Sequence, residues 1–300
     1  MHKRFRATGT VLAIALTGSL VTATSATASP ASSDGSPSTT RSARAAGIDR
    51  VGGAYMGWSA GGDGGPQSQT PARLLDQSSL TSRYSTTASA SGATSGVQGV
   101  DVSSWQKNVD WRSLWNDGFR FAYVKATEGN YYTNEYFGQQ YNGSANAGMI
   151  RGAYHFANPS VSSGWRQARY FFRHGGSWSG DGSTLPGVLD IEYNPYGATC
   201  YGKTKKQMRS WISSFVRQYK QYTGRDAVIY TNYDWWSRCT GNTSMFNDTN
   251  PLWVARYAST PGTLPGGWPY YTFWQHTATP FDQNKFNGSY TRLKVLARGR

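Results

Sequence analysis

Asp190 and Glu192 stand two residues apart in the apolar run PGVLDIEYNP, residues 186–195. In a β-strand, residues i and i+2 project to the same face, about 6.6–6.8 Å apart along the backbone. Both acids then point one way, with Val188 behind them. Two carboxyls on one buried face repel each other, and burial raises the pKa of at least one. The product is one protonated acid beside one carboxylate. Cleavage of a glycosidic bond needs that split: an acid to protonate the leaving oxygen and an anion to meet the developing positive charge. On residue types alone, the same pair also suits a metal site or an ion pair with Arg or Lys.

The elements that must position the pair are legible as alternation. Short β-type runs cover 97–103, 119–129, 149–159, 186–195, 227–233, 252–259 and 271–278. Each is rich in apolar, β-branched or aromatic residues and ends in polar or turn residues. Helical patterns lie between them at 137–148, 163–174 and 204–222. In the last, Met208, Trp211, Ile212, Phe215 and Tyr219 recur at spacings of three and four and make one apolar face, which Gly224 ends. Later connections are shorter and richer in turns. Strands and helices in alternation imply a parallel sheet, and seven or eight such strands imply a barrel whose chemistry sits at the strands' C-terminal ends. Asp101, Glu128, His155, Asp190 with Glu192, Asn232 and Gln275 occupy those ends. An open doubly wound sheet is the alternative, but no GxGxxG turn follows the first strand. The strand-end aromatics, Tyr154, Tyr230, Trp253 and Trp274 among them, suit either a core or the stacking of sugar rings.

The chain does not devote all of its 300 residues to this fold. Lys3, Arg4 and Arg6, an apolar run over 11–21 and Ala26-Thr27-Ala28 read as a secretory signal peptide over 1–28. No later run is long and apolar enough to span a membrane. Residues 29–95 are mostly Ser, Thr, Ala and Gly and read as a low-complexity leader or pro-segment. Within it only GGAYMGWSAGG, 52–62, has the aromatic content to dock on anything. Residues 96–300 make one domain. Of the 30 Lys and Arg and 16 Asp and Glu, 22 and 12 lie beyond residue 94, so the domain itself is basic. A basic exported protein is drawn to polyanions, and in the absence of any nucleic-acid motif the bacterial envelope is the expected partner. The two cysteines, Cys200 and Cys239, read as one disulfide in an oxidising compartment. Four scattered histidines without HExxH or CxxC spacing give no metal site, and no cofactor is expected.

Seven blocks in one order, GVDVSSWQ, FAYVKATEG, GAYHFANP, LDIEYNP, VIYTN, LWVARY and FWQHT…DQNKFNGS, resemble the glycoside hydrolase family 25 lysozymes over about residues 97–298. The resemblance implies a modified (β/α)8 TIM-like barrel with fewer helices than strands. It implies hydrolysis of the β-1,4 bond between N-acetylmuramic acid and N-acetylglucosamine of peptidoglycan. By the same resemblance, Glu192 is the proton donor. Asp190 stabilises positive charge, acts as nucleophile or orients the substrate's acetamido group. Asp101 and Asp282 complete the acidic floor, and Tyr154, Trp253 and Trp274 border the sugar subsites; Tyr230 is expected there too. A secreted monomer acting on wall peptidoglycan, without nucleic acid or a membrane span, is expected. A family 18 chitinase type is disfavoured, because its aspartates four and seven residues before the Glu are replaced by Val188 and Leu185. A non-catalytic wall-binding protein on the same barrel would be expected to have lost an acid, and none is missing. The expected site is an open hollow rimmed by aromatics.

Overall fold

The computed structural model describes residues 38–59 and 96–299. The expected signal peptide and residues 60–95 lie outside the described residues. Eight strands close a barrel: β1 (Val97–Val102), β2 (Phe121–Glu128), β4 (Ile150–Phe156), β5 (Val188–Asp190), β6 (Val228–Thr231), β7 (Leu252–Ala255), β8 (Phe273–Thr277) and β9 (Gln283–Phe286). A two-residue strand, β3 (Tyr132–Thr133), hangs on β2 as a hairpin. Pairing runs parallel from β1 through β2, β4, β5, β6, β7 to β8. β9 then closes the ring antiparallel to both β8 and β1. An all-parallel sheet is therefore not what forms. β9 follows β8 after too short a connection to carry a crossover helix, so it must return antiparallel.

Seven α-helices are described: α1 (Arg41–Ala45), α2 (Trp111–Asn116), α3 (Phe137–Asn146), α4 (Gly164–Arg173), α5 (Lys205–Thr223), α6 (Tyr233–Thr240) and α7 (Tyr290–Arg298). There are fewer helices than strands, as the family resemblance implies. The helical stretches expected at 137–148, 163–174 and 204–222 form α3, α4 and α5; α1, α2, α6 and α7 add to them. α5 starts on a capping box: the Thr204 hydroxyl accepts from the Gln207 N–H, and the Gln207 side chain accepts from the Thr204 N–H at 2.9 Å.

Alternation along the strands divides the interior in two. Phe121, Tyr123, Tyr154, Val188, Tyr230, Trp253 and Phe273 fill the barrel lumen. The rings of Tyr123 and Trp253 lie 4.8 Å apart, and Trp253 meets Tyr230 edge-on at 5.4 Å. The outer layer joins Leu189, Ile229 and Val254 to α4 and α5. Those helices cross closely at Gly164, where any β-carbon would stand 2.3 Å from the Trp211 carbonyl. The expected disulfide is present: Cys200, in the loop after β5, is bonded to Cys239 in α6, with a Cα–Cα distance of 5.3 Å across 39 residues.

Residues 38–59 are not a free leader. Thr40 caps α1, its hydroxyl accepting from the Ala43 N–H, and its own N–H donates to the Pro195 carbonyl at 2.8 Å. Ala43, Ala46, Ile48, Ala54, Tyr55, Met56 and Trp58 are all buried. Composition marked only 52–62 as able to dock and gave no sign of α1, because alanines bury well when a preformed surface receives them.

Candidate active site

The barrel's C-terminal mouth gathers the predicted acids. Asp101 is the penultimate residue of β1, Asp190 ends β5, Glu192 lies two residues beyond it and Asp282 immediately precedes β9; all four are buried. Strand β5 is shorter than the sequence suggests, pairing only over residues 188–190. The Ile191 N–H still donates to the Tyr230 carbonyl at 3.0 Å, so the extended path persists toward Glu192.

Asp101 is held on two sides. Its Oδ2 accepts from the Gln275 Nε2 at 2.9 Å and the Asn284 Nδ2 at 2.7 Å. Gln275 is fixed in turn by the Tyr230 hydroxyl, which donates to its Oε1 at 2.6 Å, and Asn284 by the Trp253 indole N–H at 3.0 Å. Burial raises the Asp101 pKa to about 7, against the pull of those two amide donors. Burial likewise raises Glu192 to about 8. Asp190 is pushed well above the carboxylate range by burial and then by the charge of Glu192, and Asp282 by burial and then by Asp101. No described residue other than Glu192 offers Asp190 a hydrogen bond. Carboxyls so close in a dry site keep protons between them, since they cannot all ionise.

Sequence reasoning missed Lys125. It lies fully buried in β2 with its Nζ 2.6 Å from the Glu128 Oε2. Its charge favours the anionic form of Asp190. The available signal was a lysine inside the apolar run FAYVKATEG, in step with Tyr123 and Thr127. Glu128 also accepts from the Tyr131 hydroxyl at 2.8 Å and from the Tyr196 hydroxyl.

Other expected positions fall elsewhere. His155 points to the outer layer, its ring nitrogens bonded to Thr127 (2.8 Å) and Gln167 (3.0 Å), with Phe215 stacked 5.3 Å away. Asn232 caps α6 through the Trp235 N–H. Tyr154, Tyr230 and Trp253 are fully buried in the lumen, forming the site's floor more than its border. Trp274 lies on the opposite face of β8 from Phe273 and Gln275; its indole donates to the Arg256 carbonyl at 2.8 Å. Strand alternation makes that unavoidable for a residue between two lumen-facing ones.

The hollow is not open. The Gly57 N–H donates to the Glu192 Oε1 at 2.7 Å, and the Ser59 hydroxyl donates to its Oε2 at 3.1 Å. What seals the acids is the segment preceding the barrel, not the barrel's own loops.

An acid pair at a strand end in a barrel closed by an antiparallel β9 can be compared with known proteins. The sequence profile of Glycosyl hydrolases family 25 matches residues 100–284. The chain belongs to glycosyl hydrolase family 25. Lysozyme M1 of Streptomyces globisporus is 52% identical over 212 residues, covering 68% of this chain and 72% of that protein. The N,O-diacetylmuramidase of Chalaropsis sp is 50% identical over 210 residues, covering 68% of this chain and all of that one. The crystal structure of the bacterial lysozyme from Streptomyces coelicolor superposes with a TM-score of 0.67 at 51% identity, covering 69% of this chain and 99% of that one. Within family 25, the described residues 38–59 lie outside the part matched by the profile.

Proposed function

We propose that this family 25 enzyme hydrolyses the β-1,4 bond between N-acetylmuramic acid and N-acetylglucosamine in peptidoglycan, outside the cell that makes it. The observation that carries this reading is the carboxyl cluster at the barrel mouth, where Glu192 and Asp190 at the end of β5 meet Asp101 and Asp282, and burial and the repulsion among them leave a proton on Glu192. Glu192 donates that proton to the leaving glycosidic oxygen. Asp190, whose anion Lys125 favours, faces the positive charge developing on the sugar. Asp101, oriented by Gln275 and Asn284, and Asp282 complete the acidic floor. Tyr154 and Tyr230 place aromatic surface beneath the sugar. The names of the relatives, lysozyme and N,O-diacetylmuramidase, support the same chemistry.

No helix among the described residues is long and apolar enough to cross a membrane. Export rests on the signal-like residues 1–28, and N-terminal sequencing of protein recovered from culture medium tests it. The activity is tested by mass spectrometry of digested peptidoglycan. New reducing ends on muramic acid are expected; new ends on glucosamine, or none from a chain whose residues 47–59 are displaced from the mouth, overturn the reading.

A further inference from the structure

The mouth of the barrel is filled by its own chain. Met56 is fully buried at the top of the lumen, in the cluster that holds Tyr154, Tyr230 and Trp253, and its N–H donates to the Tyr154 hydroxyl at 3.5 Å. The Gly57 N–H and Ser59 hydroxyl take up both oxygens of Glu192. The carbonyls of Gly52 (3.0 Å) and Ala54 accept from the Lys125 ammonium. The Gly52 N–H donates to the Glu128 Oε1 at 3.1 Å, and the Trp58 indole to the Tyr193 carbonyl at 3.1 Å. From the barrel side, the Tyr257 hydroxyl donates to the Gly57 carbonyl at 3.0 Å, and the Trp105 indole to the Gly53 carbonyl at 2.9 Å. Tyr55 meets Trp105 edge-on at 5.5 Å.

We propose that residues 47–59 are an intramolecular inhibitor: they occupy the acid-lined mouth and hold the chain inactive until they are displaced. This rests on the muramidase reading above, since inhibition presupposes that the mouth is where sugar is cut. With both Glu192 oxygens engaged by backbone and hydroxyl donors, no sugar oxygen can approach the acid. With Met56 in the lumen mouth, no ring can reach Tyr154 and Tyr230.

The fit is that of a specific ligand. Gly57 sits at φ 75°, where side chains are strained, and a β-carbon there would stand 2.4 Å from both the Gln275 amide oxygen and the Tyr257 hydroxyl. Only glycine passes between them. The 36 residues from 60 to 95 tie Ser59 to Gly96. Inhibitor and site share one chain, so occupancy of the mouth does not fall as the protein is diluted.

The test compares the full chain with its Gly57→Val variant for reducing-end release from purified peptidoglycan, with a synthetic peptide of residues 47–59 added back. Amide hydrogen exchange follows the leader, and the melting curve follows the barrel. The expected result is release at least about tenfold faster in the variant. Its leader amides exchange faster, its barrel still melts in one cooperative transition, lowered only by the loss of the docked segment, and it is slowed again by the peptide but not by a peptide carrying the same substitution. Equal rates in the wild type and in a variant whose leader is released overturn the inhibitor and leave the muramidase reading standing. No release from either, with the variant's leader amides exposed, overturns both.

Discussion

Glu192 and Asp190 are chemically useful because they are close and dry. Burial is the largest cause of the upward shift in both, and their proximity adds to it at Asp190. Replacing Glu192 by Gln keeps shape and removes the transferable proton. Reducing-end release by a leader-displaced chain is expected to fall by about 10²–10⁴-fold with its melting temperature little changed. The same shifts govern stability. Glu192 titrates near 8 in the fold against an ordinary value of 4.5, and Asp101 near 7 against 3.8. Both folded values are raised, so their contribution is whole below about pH 4 and is lost progressively as pH rises from there to the folded values of 7 to 8. Each group adds a downward slope of up to about 1.4 kcal/mol per pH unit in that window. Melting temperatures of the full chain measured from pH 5 to pH 9 should fall, and Asp101→Asn should flatten the curve.

At the scale of elements, the loop from β5 to α5 carries both Glu192 and one half of the disulfide. Cys200 ties that loop to α6, so the bond braces the backbone just beyond the acids. Closing a loop of this length is worth about 3–4 kcal/mol. Reduction should lower the melting temperature by several degrees in a calorimetric scan, and Cys239→Ser should reproduce the drop without reductant. The short β9 matters as much. It delivers Asp282 and Asn284 to the mouth from the opposite direction to the other seven barrel strands, and through Asn284 it orients Asp101.

The whole molecule is strongly basic, with a formal charge of +14. Its substrate in the proposed reading is an envelope of acidic polymers and peptide carboxylates, so long-range attraction brings enzyme and wall together. Attraction between exposed charges is screened within about 10 Å at 0.1 M salt. Sedimentation of the protein with purified walls should weaken steadily from 0.05 to 0.5 M NaCl, while cleavage of a short uncharged oligosaccharide should change far less. A salt-independent wall affinity would place binding in the cleft alone.

The sequence by itself determined the acids, the alternation of strands and helices, the signal-like start and the pairing of two cysteines. These follow from local periodicity and residue type, and the block order made the family legible before any coordinate. Strand spacing placed Asp190 and Glu192 on one side, and the side chains converge accordingly. Tertiary structure alone decided the rest. The antiparallel return of β9 depends on a connection too short for a crossover, and its four residues carry no distinctive pattern. Trp253 and Trp274 looked alike in sequence, yet strand registration sends one to the lumen and the other outward. The docking of Gly52 on Lys125 and of Gly57 on Glu192 joins residues 73 and 135 apart in the chain. Such contacts depend on the shape of a surface that exists only once the barrel has closed; the aromatic content of GGAYMGWSAGG marks a segment able to dock but not the place where it docks.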